Sequence, residues 1–192
     1  MKLQSKVGFN PPLAQVSGRL WLSDESRLAG CFKEISMPIR FHPYDPAFVA
    51  SIRAGGPDAY GNPAERAISD GAGVPCRSCL HDVPRGQEYL ILAARPFTTL
   101  QPYAETGPVF LCAAACTPWA GAGVPSILTT SPDYLLKGYC SAERIIYGTG
   151  RVVAADQISA VAEQLFENAQ LAYVDVRSAR NNCFQTRITR RA

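Results

Sequence analysis

Histidine is scarce. His42 and His81 are the two in 192 residues, which leaves few candidates for a histidine-dependent nucleophile. Long apolar runs are missing, and no stretch approaches the ~18 uninterrupted apolar residues of a membrane span. The opening residues, Met1 to Pro12, lack the compact apolar segment of a secretory signal. A cytoplasmic protein is therefore expected, with no membrane partner. Excess charge is also small: a formal net charge of +3 falls short of the concentrated Lys and Arg that neutralise nucleic-acid phosphates. No Gly-x-Ser-x-Gly elbow, Walker loop or dinucleotide fingerprint stands in its required context. Internal repeats, heptads and low-complexity tracts are absent too, which leaves a single sheet-based domain without a large enzyme class to claim it.

The composition that remains is that of a globular protein, 47% apolar and 18% charged, with 15 Gly and 15 Pro that favour many turns over long helices. A domain of this size buries about 70% of the surface its unfolded chain exposes, so a metal is optional for folding. Seven cysteines, an odd number in a chain this long, suit reduced thiols or a metal better than a secreted disulfide framework.

Residues 1–36 show no sustained period of 2 or 3.6 and read as a loosely packed extension to a domain over 37–192, with Met37 a candidate initiator. A strand over Met37–Phe41 leads to Asp45-Pro46, where Asp caps a helix and Pro fills its first turn. That helix carries Phe48, Val49 and Ile52 and stops near Gly55-Gly56. The Gly- and Pro-rich stretch from Gly56 to Pro75 reads as a loop or lid, with a turn of helix at Ala64 to Ile68. Glu88–Ala94 has the pattern of a strand covered on both faces, Pro108–Cys112 that of a second strand, and Arg144–Tyr147 that of a third entering a turn at Gly148. Ile158, Val161, Ala162, Leu165 and Phe166 share one face of a helix opened by Asp156. Leu171–Arg177 and Cys183–Thr189 form a hairpin whose Asn residues can take left-handed geometry. The fold class is α+β with a mostly antiparallel sheet.

Cys76-Arg77-Ser78-Cys79 and Cys112-Ala-Ala-Ala-Cys116 flank the strongest strand. Together they offer the four soft ligands of a structural zinc. Thiols buried as small apolar groups, or a redox pair, are the alternatives. In the redox or cysteine-enzyme reading, Cys76 is the reactive thiol and Arg77 assists it. His81, close to Cys79, is a spare ligand, a base or a hydrogen-bonded turn residue, and His42 is structural. A small anion is the expected ligand. After Asp175 the chain carries five Arg and no acid. Tyr173, Asp175 and Arg177 alternate onto one strand face, directed away from the core, and end beside Arg180 and Asn181. Tyr103 and Glu105 on a Pro-rich loop would complete a pocket with Arg177. An exposed sheet face with an Asp175–Arg177 ion pair is the plainer alternative.

Val74-Pro75-Cys76-Arg77, Arg85-Gly86-Gln87-Glu88, Pro102-Tyr103, Gly107-Pro108-Val109-Phe110 and Cys183-Phe184-Gln185-Thr186-Arg187-Ile188 carry a resemblance to the bacterial domain of unknown function 1203 family, from about residue 37 to the end. The resemblance implies a soluble bacterial protein and lends no activity. It also implies that Cys76, Arg77 and Cys183 are the positions with a shared role, and that a four-cysteine zinc site belongs to one branch.

Overall fold

The computed structural model describes residues 39–191; the expected extension over 1–36 and the candidate start at Met37 lie outside them. Two antiparallel sheets carry the fold. The larger joins β1 (Ile39–His42), β5 (Asp133–Tyr139), β6 (Arg151–Ala154), β7 (Tyr173–Ser178) and β8 (Phe184–Arg190) in the order β1-β8-β7-β5-β6. The smaller is the meander β2 (Glu65–Ile68), β3 (Glu88–Ala94), β4 (Gly107–Cys112). Helix α1 (Pro46–Arg53) follows β1, and α2 (Ile158–Leu165) lies between β6 and β7. Among the described residues no helix is long and apolar enough to cross a membrane.

Local chemistry accounts for most of these elements. Asp45 accepts the amide of Ala47 at the start of α1, Pro46 fills the first helical position, and Val49 and Ile52 are buried. On α2, Ile158, Ala162 and Leu165 turn inward against Tyr134, Leu136, Val174, Val176 and Ile188 of the large sheet. Arg190 closes the far end of that helix by donating to the carbonyls of Phe166 and Leu171, each at 2.6 Å. The β7–β8 hairpin forms as the alternation indicates, with Asn182 at φ 56° taking the left-handed position. A second core lies between α1 and the small sheet, built from Tyr44, Val49, Ile52, Leu90, Leu92, Val109 and Leu111.

Four local expectations are corrected. Glu65–Ile68 is an edge strand paired with β3 rather than a helical turn, because it has no apolar helical face and its Arg66 reaches Glu88 across the ladder at 2.5 Å. β3 buries Leu90 and Leu92 but leaves Tyr89 and Ile91 half-covered, so it is not enclosed on both faces. Arg144–Tyr147 is not a strand. Glu143 at φ 59° turns the chain, Cys140 N donates to Arg144 O, and one bridge, Tyr139 to Ile145, remains. The strand of this region is β5, whose residues show no clear strand pattern. It packs tightly at Gly138, where a Cβ would come within 2.6 Å of a Leu171 methyl and 2.9 Å of Thr149 Oγ1.

The fourth correction concerns the polar row on β7. Tyr173, Asp175 and Arg177 do share a face, but that face is buried, with 8%, 0% and 3% of their surface exposed. The chain between β3 and β4 folds over it, bringing Pro96 O to Arg187 and Glu105 to Arg177.

Leu136, fully buried between α2 and the sheet, should lose about 2–5 kcal/mol on truncation to Ala. Val152→Ala, at an exposed position on β6, should stay within about 0.5 kcal/mol; urea unfolding of the two variants checks the difference.

Candidate metal centre and the buried ion network

The loop before β3 is shaped as a knuckle. Cys76 N donates to His81 O, Leu80 N to Cys76 O, and Val83 N to Val74 O. Leu80 holds φ at 54° with its side chain wholly buried; a left-handed non-glycine residue costs on the order of 1–3 kcal/mol, and packing against the large-sheet core keeps it there. The knuckle is fastened to β4 by a bridge between Cys76 and Phe110 and by the bond from Arg77 N to Phe110 O. This attachment brings the end of β4, with Cys112 and then Cys116, over the Cys76–Cys79 turn.

All four sulfurs lie within 4.8 Å of one another. Cys76 Sγ is 3.9 Å from Cys116 Sγ, and Cys79 Sγ is 4.0 Å from Cys112 Sγ. Four thiolates at ~2.3 Å from a tetrahedral ion stand about 3.8 Å apart, so small side-chain movements convert this cluster into a coordination sphere. The cluster could hold a metal ion.

Its surroundings suit negative sulfur. Ser78 N and Cys112 N donate to Cys76 Sγ at 3.4 and 3.3 Å. Arg53, in the last turn of α1, donates from Nη2 to Cys116 Sγ at 3.0 Å and from Nε to Cys112 O at 3.1 Å. Hydrogen bonds from the Cys112 and Cys79 thiols hold Cys76 far below the usual thiol range. The same sharing pushes Cys112 far above it. Cys79, lowered by its Cys112 bond and raised by its Cys76 bond, ends at about 12. Mutual bonding thus favours the thiolate at Cys76 at the expense of Cys112.

Arg77 acts as a backbone clamp while also interacting with the Cys76 sulfur through charge. Its guanidinium is fully buried and donates from Nε to Phe184 O at 2.6 Å and from Nη1 to Pro75 O, tying the knuckle to β8. Burial lowers it to about 10. Cys76 itself is 0% exposed, which denies a substrate access to its sulfur. His81 is bonded through Nδ1 to Ser126 Oγ at 2.8 Å, with its ring edge-on to Trp119, and His42 is bonded to Thr189 Oγ1 at 2.7 Å.

Of the residues expected to hold an anion, Glu105, Arg177 and Asn181 come together around a cavity of about 170 Å³ that Cys183 also lines. Arg177 is already engaged there: Glu105 lies 2.7 Å from its Nη1, which also donates to Asn182 O. Glu105 meets Lys137 as well, at 2.5 Å. Arg180 pairs instead with Asp133 on the surface. Tyr103 turns to Tyr147, 3.3 Å between hydroxyls, with Arg144 stacked over its ring.

The centre of the network is Asp175. Arg187 grips both its oxygens, at 2.7 and 3.2 Å, and Arg177 lies 3.7 Å away. Burial raises the Asp175 carboxyl above its usual range, while the two guanidiniums pull it back. Arg53 and Lys137 are new to the site, and Arg187 stood before only among the C-terminal arginines and in the Cys183–Ile188 motif. Only Arg187 carried a usable signal, since hairpin register sets it directly opposite Asp175.

Fold and site together define an α+β domain with a four-thiol cluster able to bind a metal. Residues 73–190, which contain all four cysteines, match the family described as protein of unknown function (DUF1203), and the chain belongs to that family. No curated protein and no solved structure matches it.

Asp175→Ala, which strands Arg187 and Arg177 in the interior, should cost about 3–5 kcal/mol. Arg180→Ala, which breaks an exposed pair, should cost less than about 1 kcal/mol. Chemical denaturation of both variants measures the contrast.

Proposed function

We propose that Cys76, Cys79, Cys112 and Cys116 hold a structural zinc that staples the knuckle before β3 to the end of β4. The observation that carries this reading is the meeting of four sulfurs, from two sequence-distant loops, within 4.8 Å. An all-thiolate donor set suits zinc, with iron as the other tetrahedral candidate. A tetrathiolate zinc carries two surplus negative charges, which the Arg53 guanidinium and the Cys76-directed amides face. Four unoxidised thiols also suit a reducing compartment such as the cytoplasm. The role is structural because every ligand position is filled by protein and Cys76 is enclosed.

A small anion at the Arg177 cavity finds Nη1 already engaged by Glu105 and Asn182 O, and although Nε and Nη2 lack hydrogen-bond partners, the Glu105 carboxylate beside them opposes a second anion. The cysteine-enzyme alternative draws on the short Cys76–Cys116 and Cys79–Cys112 separations of 3.9 and 4.0 Å, which would suit thiol–disulfide chemistry. It requires a reagent to reach a sulfur that is buried.

Protein purified without chelator should contain near-stoichiometric zinc and lack the visible absorption of iron–thiolate. Chelation should lower its melting temperature, because binding and folding are coupled, and should expose the four thiols to alkylation. Zinc-free protein of unchanged stability, with one fast-reacting cysteine, would instead favour the enzyme reading.

A further inference from the structure

A separate cavity of about 410 Å³ opens between the β1–α1 connection and the segment that follows β3, within the ~300–1,000 Å³ of small-molecule sites. Its walls are aromatic. Tyr44 lies 5.1 Å from Phe48 and 5.9 Å, edge-on, from Phe184, with Phe97 completing the lining. None of the expected anion residues lines it.

Two arginines, Arg95 and Arg187, line this space. Arg187 is held rigidly: Nε and Nη2 bond Asp175, Nη2 also bonds Pro96 O at 2.6 Å, and the group lies 3.5 Å over the Tyr173 ring. Its Nη1 has no acceptor among the described residues. Arg95 makes no ion pair among the described residues, and its Nε is buried without a hydrogen-bond partner. A desolvated, unpaired N–H of a cation is a cost that an anionic guest offsets.

The other polar groups each have a separate engagement, the Glu143 carboxylate, which acts on Arg187 through charge, being bonded to the amides of Thr98 and Thr99. His42 is driven toward its neutral form by burial and by Arg40 and Arg187. Tyr44, pushed up to about 12 by burial, stays a phenol. Asp45 points its carboxylate at the Ala47 amide to cap α1, and Asp175 lies beneath Arg187.

We propose that this cavity binds a small planar anion, an aromatic ring bearing a carboxylate or a phosphate, with the ring among Tyr44, Phe97 and Phe184 and the oxygens on Arg95 and Arg187. Guanidinium forks match both oxyanions in paired, charge-assisted hydrogen bonds. Flat rings favour edge-to-face contact with aromatic walls. The cavity shares no residue with the four-thiol cluster.

Calorimetric titration of the purified protein with benzoate and phenyl phosphate tests the assignment, with benzyl alcohol as a ring without charge, and acetate and inorganic phosphate as charges without a ring. At least one aromatic anion should bind saturably, and about ten-fold or more tighter than its ringless and uncharged counterparts. Which of the two binds better distinguishes a carboxylate guest from a phosphate guest. Arg95→Met should weaken that binding by about ten-fold or more yet melt like the parent, since Arg95 holds no partner; Arg187 is unsuited to this test because Asp175 depends on it. The proposal is overturned by the absence of saturable binding to either aromatic anion, by ringless anions binding equally well, or by an Arg95→Met variant that binds as before.

Discussion

A single carboxylate, that of Asp175, imposes the constraint from which the middle of this molecule is arranged. It lies on β7, which runs between β5 and β8 in the large sheet, with none of its surface exposed. A buried carboxylate needs opposite charge and hydrogen bonds at short range. Arg187 supplies them from the facing strand and Arg177 from two residues along. Each arginine then needs acceptors of its own, which it finds in the chain joining β3 to β4: Pro96 O for Arg187 and Glu105 for Arg177. The loop is therefore drawn onto the sheet by charge, and it contributes lining residues to both cavities. Pro96 and Phe184 line both.

The thiol cluster is connected to this arrangement through Arg77. Its backbone follows Cys76 in the knuckle, its amide bonds β4, its carbonyl accepts from Tyr44 N, and its guanidinium bonds Phe184 O on β8. Tyr44 and Phe184 are two walls of the larger cavity. Fastening the knuckle to the end of β4 thus fixes the residue that positions both walls. A metal at the four sulfurs, as proposed, would add to that fastening and so act on the local shape of the larger cavity.

Much of this fold could be read from residues alone, and the failures have physical causes. The Asp45-Pro46 start, the face of α2 and the β7–β8 hairpin are local features, set by capping, a 3.6-residue period and turn chemistry. The four cysteines were visible by spacing, although their loops are brought together by long-range pairing of Cys76 and Arg77 with Phe110. β5 escaped notice because Tyr134-Leu135-Leu136-Lys137-Gly138-Tyr139 shows neither clean alternation nor a helical period, and its Gly138 is dictated by Leu171 and Thr149 from elsewhere in the chain. Alternation put Tyr173, Asp175 and Arg177 on one face correctly but could not show that a loop some seventy residues earlier covers it. Arg53 ends α1, and nothing local to that helix ties it to the sulfur of Cys116.

The two faces of the large sheet are stabilised in different ways. Toward α2, Leu136, Val174, Val176 and Ile188 form a dry core, whose burial at roughly 25 cal/mol per Å² supplies stability without directional demands. On the opposite face, Lys137, Asp175, Arg177 and Arg187 are bound to Glu105, to one another and to backbone carbonyls. Apolar replacements of similar volume for such buried ionic groups are often as stable or more so, so stability alone does not account for four charges there. What the ionic face achieves is placement. A guanidinium gripped at Nε and Nη2 and stacked on Tyr173 cannot swing away, and its remaining donor is held at the edge of an aromatic cavity at no further entropic cost when a partner arrives.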